Sequence, residues 1–490
     1  MGRNQRADVV FEKVEILDAG SEGKAIARVD NRVIFVPFVI PGDIVDIQVT
    51  LKRRSFLEGK AVRFHRYSEK RTDPFCTHFG VCGGCRWQNM RYEEQLYYKQ
   101  KQVGDNLRRI GKIEHPSILP ILPSPNIIQY RNKLEFTFSN RRWFTDGPVK
   151  ENVAEKDRNA LGFHIPAIFD KVLDIERCFL QEDPSNDIRL FVKDYALRHN
   201  MSFYDVRKWE GLMRNLIIRN STLGDLMVIV VFRDDDRERI TGLLDETAAA
   251  FPSITSLNFV INPKKNDVIA DLPVSLYKGL PYIMESIPSF LPGGKDIAFR
   301  IGPVSFYQTN SRQAVFLYRA LAGMAAFTGN ETVYDLYSGA GTIANYIAPY
   351  VKEVIGIESI RAAVEDACVN TQLNGTRNAR FHFGEVENLM NPGFMERNGY
   401  PDVIITDPPR SGMHEKAIRA ILSSRAGKVI YVSCNPATQA RDMAILADKY
   451  ELIHSQPVDM FPHTHHVENV ALLMRKDQSV ILHDESQETI

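Results

Sequence analysis

Residues 300–476 carry the pattern that most restricts how this chain can fold. Short apolar runs, "TVYDLYS", "EVIGIE", "DVIITD", "KVIYVS" and "NVALLMR", alternate there with amphipathic helical stretches. A short, mostly apolar strand has no polar face to give to water, so both of its faces need cover, and flanking helices supply it. The alternation predicts an open, mostly parallel, doubly wound α/β sheet over residues 301–476, Rossmann-like in its winding. Ligands in such sheets bind beyond the carboxyl ends of the strands.

The loops at those ends are the informative ones. The first strand runs into "DLYSGAGTIA" (335–344), where Gly339 and Gly341 permit a tight turn and close approach of backbone to a ligand. The second ends in Glu358, placed to accept hydrogen bonds from ribose hydroxyls. These two features alone fit a dinucleotide such as NAD equally well. A third loop, "TDPPR", joins Asp407 to two prolines, a stiff turn suited to holding a flat heterocycle by its edge.

The next strand ends in "VIYVSCNPAT" (429–438). A free cysteine is most often a small packing residue, but this position brings the Cys434 thiol to the ligand edge, with Asn435-Pro436 read as a stiff turn that keeps it exposed. Later, in "MFPHTHHVENVALLMR", Glu468 stands just before the last strand. A thiol and a carboxyl at adjacent strand ends can serve as nucleophile and base. His463, His465 and His466 lack the accompanying ligand spacing of a metal site, and a role steering the base or touching substrate is expected instead. Cys368, inside "AAVEDACVNTQL", reads as helical core.

The amino-terminal part has a different character. Residues 8–66 form short alternating runs broken by Gly20, Gly23 and Pro41-Gly42, which predicts a small, OB-like β-barrel. Its end, "KRRSFLEGKAVRFHRYSEKR", mixes eight Lys/Arg with Phe56, Phe64 and Tyr67, so cations can hold phosphates while aromatics stack on unpaired bases. The whole chain has no net formal charge, yet residues 1–112 carry 21 Lys+Arg against 14 Asp+Glu, leaving 40 against 47 for the rest. That asymmetry points to a nucleic-acid-facing part joined to a part with another task.

Between them, "CTHFGVCGGCRWQ" sets Cys76, Cys82 and Cys85 close together, followed by the helix "YEEQLYYKQKQVGDNLRRI". Three such cysteines in a chain with six favour a metal site over disulfides, in a reducing, cytoplasmic setting. Cys178 in "DIERCFLQ" is the best fourth ligand, and four thiolates suit zinc or an iron–sulfur cluster equally on chemical grounds. Residues 118–300 read mostly as strands, with one helix beginning at Pro184-Ser185. No apolar run is long enough to span a bilayer, and the start "MGRNQRADVVFEK" has no signal-like apolar core.

Taken in order, "SFYQTN", "DLYSGAG", "TDPPR", "YVSCNPAT" and "FPHTHHVE" resemble the RNA uracil-5-methyltransferases. The resemblance covers nearly the whole chain and is closest to the ribosomal-RNA branch, which carries a TRAM barrel and an iron–sulfur cluster. It implies three parts. These are a TRAM β-barrel at 1–68 that binds RNA, a β-rich α+β central domain at 69–300 holding a [4Fe–4S] cluster, and a methyltransferase domain at 301–476, followed by a tail at 477–490. It further implies Cys434 as nucleophile and Glu468 as base. Gln308, Tyr337, Glu358 and Asp407 become S-adenosylmethionine-binding positions, Thr342 a further contact, and Asp407 or Gln308 a contact to the base. Cys76, Cys82, Cys85 and Cys178 become the cluster ligands, and Tyr130–Lys133 ("YRNK") an RNA-facing stretch. The implied protein is a cytoplasmic monomer acting on RNA without a membrane. A transfer-RNA uridine methyltransferase of the same fold, and a non-catalytic iron–sulfur RNA-binding protein, are the alternatives.

Overall fold

The computed structural model describes residues 9–145 and 155–477; residues 1–8 and the tail from 478 lie outside the described residues. Three large sheets and one two-stranded hairpin organise the described residues. The first is a closed five-stranded barrel of Val10–Ala19, Ala25–Val29, Arg32–Val36, Ile44–Lys52 and Phe56–Arg66. Alternation works here as it should: Ile16, Ala27, Ile34, Val45 and Ile47 point inward and make its core, while every second residue meets water. At its basic end Phe64 stacks on Tyr67, and the Arg71 guanidinium lies over both rings.

The second sheet has eight strands, with Met213–Asn220, Leu226–Phe232 and Ser256–Ile261 buried at its centre. Two helices, Ser185–Arg198 and Arg237–Ala250, cover one face through Ile188, Val192, Leu243 and Leu244. The second of these helices corrects the single-helix expectation. Its signal was present but short: Asp236 caps it by accepting from the Arg239 N–H, and its buried residues Ile240, Leu243, Leu244 and Ala248 keep a helical spacing.

The third sheet has seven strands in the order Ala379–Phe383, Glu353–Glu358, Thr332–Leu336, Val403–Thr406, Lys428–Ser433, Glu468–Arg475, Tyr450–Val458. The first five run parallel to one another, and Glu468–Arg475 runs antiparallel to both of its neighbours. In this register Ser433 pairs with Asn469. The start of the last strand therefore lies beside the carboxyl end of the strand before Cys434. One reversed strand is what brings residues 434 and 468 to the same edge.

The hairpin Ile283–Ile287 and Ile297–Ile301 shares a core with the third sheet, and the backbone of Ala298 and Arg300 bonds to Asn374 and Asn370. The hairpin therefore packs as part of the same unit as the third sheet. The helix Tyr92–Arg109 (α1) also packs there: Val103 and Leu107 share a core with Tyr431, Ala440 and Leu473. Cys368 is exposed on helix Arg361–Asn374, which buries Ala367, Asn370 and Thr371. Its helical placement is as expected, but it faces solvent. No helix among the described residues is long and apolar enough to cross a membrane.

Candidate active site

Asn435-Pro436 is not a free turn but a helix start. Asn435 caps helix Pro436–Leu446, its Oδ1 accepting from the Ala437 N–H at 3.2 Å, and proline at the first helical position has no orphan N–H to satisfy. Asn435 Nδ2 and Thr438 Oγ1 both donate to the Arg410 carbonyl, at 3.0 and 3.2 Å, which locks the "TDPPR" loop against this helix. Cys434, half-buried between strand and helix, opens onto a cavity of about 490 Å³. Arg410, His465 and His466 line that cavity from the third sheet, Asp18–Gly20 from the barrel, and Lys101 from α1.

The electrostatics around the thiol are acidic. Burial, then Glu468 and Asp407, push the Cys434 thiol up to about 11, against the opposing pull of Arg410. Glu468 is buried and rises to about 8, mainly by burial, with Asp407 adding and Arg410 opposing. Asp407 keeps some open surface, yet its carboxyl lies deep enough that burial carries it to about 7. Asp335, fully buried, reaches about 8 through burial and the nearby Asp407, against one hydrogen bond from the Ala344 N–H at 3.1 Å. Burial keeps His465 and His466 neutral, lowered to about 4 and about 3.

The expected nucleotide loop is in place. Glu358 accepts from the Gly339 and Ile360 N–H groups at 2.9 and 2.8 Å, so its carboxylate is fixed by backbone at the strand end. Gly339 (φ +54°) faces open space, whereas a side chain at Gly341 (φ +73°) would strike Ala367 and Phe381 at 2.9 Å. The first glycine leaves room; the second is demanded by packing. Among the described residues Asp335 Oδ1 and Ser338 Oγ are buried without partners, and Tyr337 (φ +63°) sits between them in sequence. Gln308 is nearly buried, and Thr342 opens helix Thr342–Ile347. An edge with unpaired buried acids and free polar atoms suits a cationic nucleoside such as a sulfonium. Asp335 was legible as the acid ending the first strand, yet it escaped the sequence reading, as did Glu385 beside Tyr337 and Pro409.

The loop leading to Glu468 is anchored from far away. Lys99 Nζ meets Asp459 Oδ1 at 2.5 Å, both fully buried, and donates to the Phe461 carbonyl at 2.9 Å, while Tyr92 Oη donates to Asp459 Oδ2 at 2.8 Å. The His463 carbonyl accepts from the Arg86 and Trp87 N–H groups at 2.8 and 3.0 Å, and its ring meets Gln95. Nothing in the pattern of α1 announced these partners. Within "YRNK", Tyr130 and Asn132 are buried while Arg131 and Lys133 stay half-buried, so the stretch runs as a partly internal strap.

Cys76, Cys82, Cys85 and Cys178 do line one common cavity, of about 360 Å³. Burial pushes Cys82 to about 11 and Cys85 to about 12, and raises the other two as well. No set of three or more His, Cys, Asp or Glu side chains among the described residues is arranged to hold a metal ion.

A doubly wound sheet whose carboxyl edge joins an acidic, glycine-lined nucleotide site to a thiol and a carboxyl defines a nucleotide-cofactor transferase. Residues 281–476 match the family model described as tRNA (uracil-5-)-methyltransferase, and residues 11–62 match the TRAM domain. An uncharacterized RNA methyltransferase of Bacteroides thetaiotaomicron is 53% identical over 456 residues, covering 92% of this chain and 99% of that one. One from Porphyromonas gingivalis is 51% identical, covering 95% and 100%. The crystal structure of the Pyrococcus abyssi tRNA (uracil-54, C5)-methyltransferase with S-adenosyl-L-homocysteine is similar at a TM-score of 0.71 and 27% identity, covering 94% of this chain and 100% of that one. This chain belongs to the TRAM-containing, S-adenosylmethionine-dependent RNA uracil-5-methyltransferase family.

Proposed function

We propose that this protein methylates C5 of uridine in 23S ribosomal RNA, acting as a cytoplasmic monomer, with Cys434 as nucleophile and Glu468 as base. The observation that supports the mechanism is the reversed last strand: it brings the buried Glu468 carboxyl near enough to the cavity-lining Cys434 thiol to raise it.

Uracil C5 is a weak nucleophile. Addition of the Cys434 thiolate to C6 moves the ring electrons into an enolate, and C5 then takes the methyl group, with S-adenosylhomocysteine leaving. Glu468 removes the C5 proton, the C6–S bond breaks, and the C5–C6 double bond returns with a free thiolate. Gln308, Tyr337, Glu358 and Asp407 hold the methyl donor. Arg410 opposes the rise in both working pKa values, since a guanidinium favours thiolate and carboxylate alike.

The shared four-cysteine cavity supports a [4Fe–4S] cluster held by Cys76, Cys82, Cys85 and Cys178. Four thiolates on chemical grounds suit zinc as well, and the family resemblance is what favours the cluster. The cluster would supply a covalent clasp between residues 76–85 and 178, and no catalytic step is assigned to it. The resemblance of the motifs to the ribosomal-RNA branch favours ribosomal RNA, while likeness to the Pyrococcus abyssi enzyme supports transfer RNA as the second reading. Mapping 5-methyluridine in both RNAs from a strain lacking the protein, complemented with wild type or Cys434→Ala, decides. The expected result is a 23S site lost in the deletion, restored by wild type and not by Cys434→Ala. Loss confined to transfer RNA refutes the substrate, and restoration by Cys434→Ala refutes the nucleophile.

A further inference from the structure

The strap at residues 129–132 bonds to the segment carrying Gln308 and to the loop leading to Glu468, and its buried Asn132 does the former through both side chain and backbone. Asn132 is 7% exposed. Its Nδ2 donates to the Gln308 carbonyl at 2.8 Å and to Ser311 Oγ at 2.7 Å. Its backbone N–H donates to the Thr309 carbonyl at 2.8 Å, and its own carbonyl accepts from Asn220 at 3.0 Å. Asn132 thus grips two consecutive carbonyls and the first residue of helix Ser311–Ala325. The Gln308 side-chain amide has no hydrogen-bond partner among the described residues, so its direction is set by the backbone that carries it.

The same strap reaches the other loops. Tyr130 Oη donates to the Pro462 carbonyl at 3.0 Å, within the loop that ends in Glu468. The Arg131 guanidinium lies 5.7 Å over the Phe461 ring. The Gln129 and Arg131 N–H groups donate to Phe179 and Leu180, just after Cys178.

We propose that Asn132 is a positioning residue for methyl-donor binding, acting through Gln308 from the neighbouring domain. The proposal rests on the reading that Gln308 contacts S-adenosylmethionine. Removing the amide leaves two buried acceptors unpaired, and the loop relieves that by shifting. A displacement of about 1 Å in a positioned group is worth up to ~10²-fold in function.

The test titrates S-adenosylhomocysteine into the full chain by calorimetry, with melting temperatures recorded alongside. Asn132→Ala should raise Kd about tenfold, and Asn132→Ser, which keeps a hydroxyl donor, should recover part of that. Gln308→Ala should weaken binding similarly, and the double variant should bind no worse than Gln308→Ala, because residues acting as one unit are not additive. Ile218→Ala, a cavity in the core of the central sheet, should lower the melting temperature yet leave Kd within about twofold. An unchanged Kd in both Asn132 variants overturns the proposal. So does fully additive loss in the double variant, or an equal loss in Ile218→Ala. A Gln308→Ala chain that binds normally refutes the Gln308 reading itself, which is a separate failure.

Discussion

Cys85 and Cys434 are both thiols in cavities, and burial raises both, to about 12 and about 11. Their neighbours differ. After burial and one hydrogen bond from Gln88, the influences on Cys85 are the other thiols Cys82, Cys178 and Cys76. Around Cys434 they are two carboxyls and a guanidinium. Thiols whose charged neighbours are other thiols gain no local path to ionisation, and only a bound metal centre makes four thiolates stable together. A thiol with an acid, a cation and an open cavity can be ionised and restored in each cycle. Burial alone therefore does not separate a structural cysteine from a working one; the company does.

The largest test of that contrast is Glu468→Gln. Turnover should fall about 10³-fold, as expected for loss of a positioned base, while addition and methyl transfer persist. A covalent protein–RNA adduct should then survive on a denaturing gel, and its absence would remove Glu468 from the elimination step. Next in size, Cys82→Ser should strip most iron and sulfide from anaerobically purified protein and reduce methylation about tenfold. The loss is transmitted because the segment after Cys85 bonds to the His463 carbonyl, and a ~10-fold effect matches loop misplacement. Full iron retention would break the quartet.

The smallest effect concerns pH. Asp335, Asp407 and Glu468 sit at about 8, about 7 and about 8, above the usual carboxyl value of about 4. The folded chain therefore keeps protons that the unfolded chain has already lost. As far as these groups go, stability is greatest below about pH 4 and falls as pH rises from there toward 8. The melting temperature should drop by about 3 °C or more between pH 5.5 and 8.5. S-adenosylmethionine, whose sulfonium favours charged carboxylates, should restore more of it at pH 8.5 than the uncharged thioether product. A flat profile in thermal melts would show that the acids are not coupled as described.

Much of this was legible in sequence because it rests on local pattern. Period-two alternation marked the barrel, apolar runs marked the parallel strands, and short spacing marked Cys76, Cys82 and Cys85. The misses depended on distant partners. Lys99 looks like any charged helical residue until Asp459 is seen beside it. Asn132 sits in a stretch that the resemblance turned toward RNA, and its partners Gln308 and Ser311 lie 176 and 179 residues away in sequence. Cys368 failed for a simpler reason: on an amphipathic helix one residue separates the buried Ala367 from an exposed position.

Lys99 and Asp459 are separated by 360 residues of chain. A ribosome adding about 5–20 residues per second needs roughly 20–70 s to travel from one to the other. Throughout that interval Lys99 lacks its buried counter-charge. The cavity at Cys434 closes only after the 459–475 segment emerges and docks. The surroundings of Cys434 thus hang on a buried pair whose two halves are made far apart in time.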